Sequence, residues 1–295
     1  MTPAVSVVIP TLGRSTALPE TLARLRAQEG APPFEILLVA DPEGAPPPER
    51  AGTELLRASR PGASAARNVG LRAAAAPIVL FIGDDILASP QLVREHHAWH
   101  QRMPRDEVAV LGHVRWAQRL RRTGLMAWLE RGIQSDYDTI PRDRAGWGHF
   151  YTTNVSLKKG FALSVGGFDE DLPFLYEDLD LARRLHDRGL DLRYNCNADA
   201  EHLHPPSLAE WRQRMEAVGR AERAFAQKHP DFEPYFLRRL GRAASGRPAR
   251  GRGARFAAMV APDTPVVGRR VWASAEAYFG QQLWPAFKKG WDAAG

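Results

Sequence analysis

The sequence predicts an α/β protein: a doubly wound, mostly parallel sheet flanked by helices, with a helical, basic C-terminal extension. Three observations predict it. Short β-branched runs alternate with helical-period segments in the order strand, helix, strand, helix, strand. Polar residues stand just past the ends of three of those strands, where ligands bind in such sheets. The chain, at 295 residues, 44% hydrophobic and 25% charged, can bury a sizeable core.

Val5 to Pro10 is a β-branched run closed by proline and reads as a buried strand. Leu18, Leu22 and Leu25 recur at helical spacing and Gly30 is a stop, which predicts a helix over Leu18 to Gln28. Phe34 to Val39 is a second strand, and the prolines after Asp41 mark a loop. Ser64 to Ala75 reads as a helix and Ile78 to Ile82 as a third strand, ending at Gly83-Asp84-Asp85. Further along, Leu92 to Trp99 predicts a helix and Val108 to Val114 a strand; Leu120 to Ile133 is only weakly amphipathic. Trp147 to Leu157 reads as a strand from its aromatic and β-branched content. A short helix is expected over Phe161 to Val165, ended by Gly166-Gly167. Leu179 to His186 follows as a helix with Gly189 as its C-cap, and Leu192 to Cys196 as a strand. Glu201 to Pro206 is expected to be a turn-rich loop, and Leu208 to Lys228 a long helix. Gly241 to Arg255 holds four Gly and five Arg, a composition expected to be mobile.

One cysteine, Cys196, excludes an intrachain disulfide and a cysteine-built zinc site. No apolar run reaches the roughly 18–20 residues that span a membrane, and the start carries no leader pattern. The expected location is therefore cytoplasmic. The Ala, Arg, Gly and Pro content fits a GC-rich bacterial genome. The charge of +6 is unevenly placed: from Arg238 onward eleven Lys/Arg face three Asp/Glu, a balance of +8, which leaves −2 for the first 237 residues. A basic tail suits an anionic partner. Within it Trp272, Phe279, Leu283, Phe287 and Trp291 can line one helical stripe, which Pro285 would interrupt or kink. Such a stripe packs on the main domain or a second subunit, or lies peripherally on the inner face of an acidic membrane.

Four segments carry chemistry. Asp84-Asp85, at a strand's carboxyl end, are adjacent carboxylates that repel unless a cation joins them. Mg2+ or Mn2+ bound there would stabilise charge on a leaving diphosphate; the bland alternative is a solvated acidic turn. Glu177 and Asp178 stand at a helix start, where a carboxylate is either a general base or a simple cap. His202 and His204 are spaced to point the same way on extended backbone, and either could complete a metal site; ordinary surface histidines look the same. In Gly62 to Gly70, small residues let a helix begin close to a ligand, and Arg67 could hold a phosphate or a salt bridge.

Together these residues resemble the inverting nucleotide-sugar transferases of glycosyltransferase family 2, over about residues 4 to 205. VSVVIPTLGR is similar to the family's first strand and nucleotide-contacting turn, and ILLVADP to its second strand. GASAARNVGLRAA resembles the segment before the metal motif, LFIGDDILASPQLV the metal motif itself, and NVSLKKGFALSVGGFDEDLPFLYEDLDLARRL the acceptor-side block. The resemblance implies a GT-A fold over residues 1–237, with a donor half of about 1–115 and an acceptor half of about 116–237, followed by the extension at 238–295. It implies a nucleoside-diphosphate sugar donor, UDP-linked by default, held by Pro10, Thr11, Arg14, Asp41, Arg67 and Asp84. It implies Asp85 as metal ligand, with His202 (or His204) as a further one, Asp178 as catalytic base and Glu177 beside it on the acceptor side. The acceptor would be a hydroxyl of a glycan, a lipid-linked sugar or a small molecule, and a homodimer fits the apolar stripe. Two departures stand out: Ala40 precedes Asp41 where many members have a second acid, and Gly83 replaces the first acid of the metal motif.

Rival readings are a nucleotidyltransferase and a non-catalytic nucleotide- or sugar-binding protein on the same fold. A nucleotidyltransferase would typically show a Gly-rich, basic loop after the first strand, of which Thr11 to Arg14 is a thin version. Nucleic acid is not an expected partner, because the Arg/Gly stretch carries no interleaved aromatics between Gly241 and Arg255. No G-x-G-x-x-G follows the first strand, which disfavours a dinucleotide oxidoreductase.

Overall fold

The computed structural model describes residues 2–47, 52–172, 175–246 and 269–294. The chain divides into two compact units. One comprises Met1–Arg119, Tyr137–Glu170 and Glu177–His204; the other comprises Leu120–Asp136, Asp171–Tyr176 and Pro205–Gly295.

The first unit is built on an eight-stranded sheet. In chain order its elements are β1 (Val5–Thr11), α1 (Leu18–Arg26), β2 (Phe34–Ala40), β3 (Glu54–Arg57), α2 (Ala63–Ala73), β4 (Ile78–Ile82), β5 (Ile86–Ala88), α3 (Leu92–Arg102) and β6 (Val108–Trp116). In this unit β7 (Asn154–Lys158), α5 (Lys159–Ser164), α6 (Glu177–His186) and β8 (Asp191–His202) follow, with α4 lying in the other unit. The strand order is β3-β2-β1-β4-β7-β6-β8-β5. β1, β2, β3 and β4 pair in parallel, as do β6 and β8. β7 runs antiparallel to both β4 and β6, and β5 is antiparallel to β8. Strands covered on both faces read as continuous apolar runs. Val8, Phe81, Leu111 and Val155 pack on one side of the sheet, and Val7, Ile9, Leu80 and Ile82 on the other. The expected fold class is the one observed.

Several local expectations change. The strand expected over Trp147 to Leu157 is confined to Asn154–Lys158, and Trp147–His149 is a single 3-10 turn. The aromatic content that suggested a strand serves packing here, while Gly146 and Gly148 loosen the backbone. β8 runs through Glu201 to His202, where a loop was expected, because β5 pairs with its far end. β3 and β5, of four and three residues, are too short to show a period of their own and exist through their sheet neighbours.

The second unit is helical: α4 (Gly124–Leu129), α7 (Leu208–Lys228), α8 (Tyr235–Ser245) and α9 (Arg269–Ala293). Ser207 and Glu210 form a reciprocal capping box at the start of α7. α7 and α9 touch backbone to backbone: a Cβ at Gly219 would collide with the Phe287 carbonyl, and one at Gly290 with that of Glu216. The buried Glu222 carboxylate accepts the Tyr176 hydroxyl at 2.7 Å and the Phe236 and Leu237 amides at 2.7 and 2.9 Å, capping α8. A cut at 237/238 would fall inside α8. Phe279, Leu283 and Phe287 of the expected stripe are buried, and α9 runs through Pro285 without ending. The side chain of Trp272, and most of the Gly241 to Arg255 stretch, lie outside the described residues. Arg239 pairs with Glu276, Lys289 with Glu216, and Lys288 with Asp292. No helix among the described residues is long and apolar enough to cross a membrane.

Candidate active site

The carboxyl ends of β1, β2 and β4 lie side by side, since Thr11 pairs with Ala40 and Val8 with Phe81. Parallel register therefore collects Thr11, Asp41 and the Asp84-Asp85 turn at one edge. Thr11 is buried, and its hydroxyl donates to Asp84 Oδ2 at 2.6 Å while accepting the Gly13 amide at 2.9 Å. The Asp84 carbonyl accepts from the hydroxyls of Ser15 and Thr21, both at 3.2 Å. Neither contact was visible in the sequence, since Ser15 lies in the loop after β1 and Thr21 inside α1. Burial, against the opposing bond from Thr11 and together with the like charge of Asp85, pushes Asp84 up to about 6.

Asp85 makes a different contact: its Oδ2 lies 2.9 Å from His202 Nε2. Burial raises this carboxylate, but the hydrogen bond and the charges of His202 and His204 outweigh it and hold Asp85 below its ordinary value. The two histidines, alike in residue type and spacing with His202 the one the family resemblance favours, stand in different surroundings in the fold. His202 stacks almost flat on Trp116, with centroids 5.1 Å apart, whereas His204 is exposed and stands 6.2 Å from His202. Trp116 went unnoticed in the sequence, because only strand pairing opposite His202 brings it there. Gly83 has a local reason: a Cβ there would lie 3.1 Å from Asp85 Oδ1 and 3.0 Å from Ile86 Cγ1, crowding the Asp85 carboxylate.

Among the described residues no three His, Cys, Asp or Glu side chains converge on one point that could hold a metal. Asp85 and His202, 2.9 Å apart, are a carboxylate and an imidazole that stand together. That pair suits Mn2+, which accepts imidazole as well as oxygen; substrate phosphate oxygens and water would fill the remaining positions.

Of the residues expected around the donor, Pro10 lies opposite Val39 in β1, and Arg14 is exposed on the loop that follows. Asp41 is buried, its two oxygens accepting the Glu43 and Gly62 amides at 2.8 and 2.7 Å. It therefore ties the turn after β2 to the start of α2. Arg67 was expected on the donor side as well. In the structure its Nη1 lies 2.8 Å from Glu177 Oε1, the salt-bridge alternative of the two, and its guanidinium covers the Phe168 ring at 5.5 Å. α2 and the start of α6 bring this ion pair together across 110 residues of sequence.

Glu177 is buried, while Asp178 is half-buried, its Oδ1 accepting the Leu179 amide at 2.9 Å. The Thr152 amide also bonds it. Burial first, then the adjacent Glu177, push Asp178 up to about 7, with Arg67 and the two amides opposing. The arrangement can hold a diphosphate-linked cation at Asp85 and take a proton at Asp178.

The sequence matches the family described as Glycosyl transferase family 2 over residues 6–153, half of the chain. The chain belongs to glycosyltransferase family 2. It is 28% identical over 271 residues to validoxylamine A glucosyltransferase of Streptomyces hygroscopicus subsp. limoneus, with 79% of this chain and 58% of that protein covered. Identity to an uncharacterized glycosyltransferase, YfnE, of Bacillus subtilis (strain 168) is 26%, over 68% of this chain and 65% of that protein. This family 2 member thus spans about three-fifths of the length of the curated relatives it matches. Among solved structures, a mannosyltransferase from Pyrobaculum calidifontis in complex with GDP-Man and Mn2+ superposes with a TM-score of 0.59 at 18% identity, covering 99% of this chain and 88% of that one. S. aureus TarS 1-349 superposes with a TM-score of 0.54 at 15% identity, covering 98% and 90%. These two carry the GT-A type of fold, which this chain shares.

Proposed function

We propose that this glycosyltransferase is metal-dependent and inverting, and moves a sugar from a nucleoside-diphosphate sugar to an acceptor hydroxyl. The observation that carries the reading is the contrast between two carboxylates. Asp85 is paired with an imidazole that can share a cation, whereas Asp178 is held by backbone amides and has its proton affinity raised to about 7. Environments that push two acids apart in this way separate a charge-stabilising carboxylate from a proton-accepting one.

Asp85 and His202 would hold Mn2+ or Mg2+, which when bound stabilises charge on the leaving diphosphate. Thr11 fixes Asp84 toward the donor. Asp178 removes the acceptor proton as the hydroxyl attacks the anomeric carbon from the face opposite the diphosphate, so one displacement inverts that centre. Arg67 neutralises Glu177 beside the base. UDP-sugars are the first donors to test. GDP-sugars come next, since the Pyrobaculum mannosyltransferase is held with GDP-Man. The acceptor is a hydroxyl of a glycan, a lipid-linked sugar or a small molecule. A cytoplasmic location, a homodimer and peripheral membrane contact through the basic helices belong to the same reading. Arg239, Lys288 and Lys289 are ion-paired, so such contact would draw on the other basic residues of the extension.

The test is thermal stabilisation by UDP, GDP, dTDP and CDP, each with and without Mn2+ or Mg2+. One diphosphate raising the melting temperature only with metal is the expected result. No shift with any combination would overturn the donor-site assignment and favour a different ligand for the fold.

A further inference from the structure

β6 and β8 pair in register from Val108 opposite Asp191 to Gly112 opposite Asn195; the next pair is His113 with Asp199. Residues 196–198 are looped out of β8 as a bulge. Without it, continued register would set Asp199 opposite Trp116. With it, His202 takes that place, stacked on the Trp116 ring and 2.9 Å from Asp85. The bulge therefore decides which side chain reaches the metal-side carboxylate. Bulges commonly re-aim a side chain beside an active site.

One side chain clasps the bulge. Asn154, fully buried at the start of β7, donates from Nδ2 to the carbonyls of Ala198 at 2.8 Å and His113 at 3.2 Å, one on each strand. Gly112 makes room for it: a Cβ there would collide with Asn154 Nδ2 and the Ala198 carbonyl. The two carbonyls fix the amide's orientation, so Asn154 Oδ1 is an acceptor and His96 Nε2, 2.8 Å away, must donate to it. Burial pushes His96 down to about 4, so it is neutral and its Nδ1 accepts from the Ser156 hydroxyl at 2.8 Å. That hydroxyl in turn accepts from His100 Nε2 at 2.9 Å. Each step follows from the one before, and the chain anchors the Asn154 amide against α3.

We propose that Asn154 is a positioning residue: by clasping the β8 bulge against Gly112 and His113, it sets His202 beside Asp85 to hold the divalent cation. The inference rests on the metal reading given under Proposed function. It makes Asn154 a partner of the site with no ligand contact of its own, in the way that residues behind a metal ligand fix its orientation.

The test is electron paramagnetic resonance of Mn2+ titrated into the full chain with UDP and, separately, with GDP. Asn154→Asp keeps the shape but replaces the donor with an acceptor facing two carbonyls. Gly112→Ala displaces the same amide from the other side. Both are expected to weaken Mn2+ binding at least tenfold. Ser156→Ala cuts the chain two bonds away from the bulge, and should lower the melting temperature while leaving Mn2+ affinity within about threefold of wild type. Folded Asn154→Asp and Gly112→Ala proteins that bind Mn2+ like wild type would overturn the inference, as would an equal loss in Ser156→Ala. A wild-type chain that binds Mn2+ with neither nucleotide overturns the metal reading, and this inference with it.

Discussion

Replacing Asp178 with Asn should stabilise the protein, and the gain should depend on pH. In the folded chain the Asp178 carboxyl is pushed up to about 7, mainly by burial and by Glu177, against about 3.9 for an unfolded chain. A carboxyl raised on folding binds its proton more tightly in the native state, so its ionisation opposes folding. The penalty is absent below about pH 4, grows through the window between the two values, and is constant above about pH 7. Three units at 1.36 kcal/mol each would give about 4 kcal/mol. Asp178 is only half-buried, and screening on its open side reduces this to about 1–2 kcal/mol. Asn keeps a carbonyl oxygen for the Leu179 and Thr152 amides and removes the charge. By differential scanning fluorimetry, Asp178→Asn should melt about 2–3 °C above wild type at pH 8. The gap at pH 5 should be roughly a third of that. A gap that does not change between pH 5 and pH 8, or a variant less stable than wild type at pH 8, would refute the reasoning about this carboxyl.

The same carboxyl predicts that kcat/KM for nucleoside diphosphate release rises about tenfold from pH 6 to pH 8 and then levels; a flat profile over that range would remove Asp178 as the base. Arg67→Met takes away the cation that opposes the upward shift of Asp178, so the rising limb should move to higher pH, and a limb that stays put or moves down contradicts the ion-pair role. His202→Ala should abolish metal-dependent stabilisation by the nucleotide, and His204→Ala should largely retain it, because only His202 contacts Asp85; the reverse pattern in a thermal-shift assay would exchange the two assignments. Gly290→Ala drives a methyl into the Glu216 carbonyl where α9 crosses α7 and should cost about 1–3 kcal/mol, read as a lower melting temperature with unchanged Mn2+ affinity.

Much of the sheet was legible because its signals are local. Val5–Thr11, Phe34–Ala40 and Ile78–Ile82 are apolar runs whose length and flanking turns suffice to name them strands. Parallel pairing of three such strands then forces the residues just past their ends together, so Thr11, Asp41 and Asp84-Asp85 could be grouped before any coordinates. Elements that depend on a neighbour were not legible. β5 is three residues long and is a strand because β8 lies beside it, and β8 reaches His202 because β5 and β6 flank it. Aromatic content misled at Trp147, where a turn packs rings that a strand could have packed equally well.

The sequence by itself determined which chemical groups are present and the order in which they meet the strand ends: paired acids after β4, a pair of acids opening α6, two histidines at and just past the end of β8. Tertiary structure alone decided what each group touches. It paired Arg67 with Glu177, set His202 rather than His204 against Asp85, raised the proton affinity of Asp84 and Asp178, and lowered that of Asp85. The physical reason is that burial, hydrogen-bond partners and strand register are properties of contacts made across as many as 117 residues, and no local period in the chain encodes them.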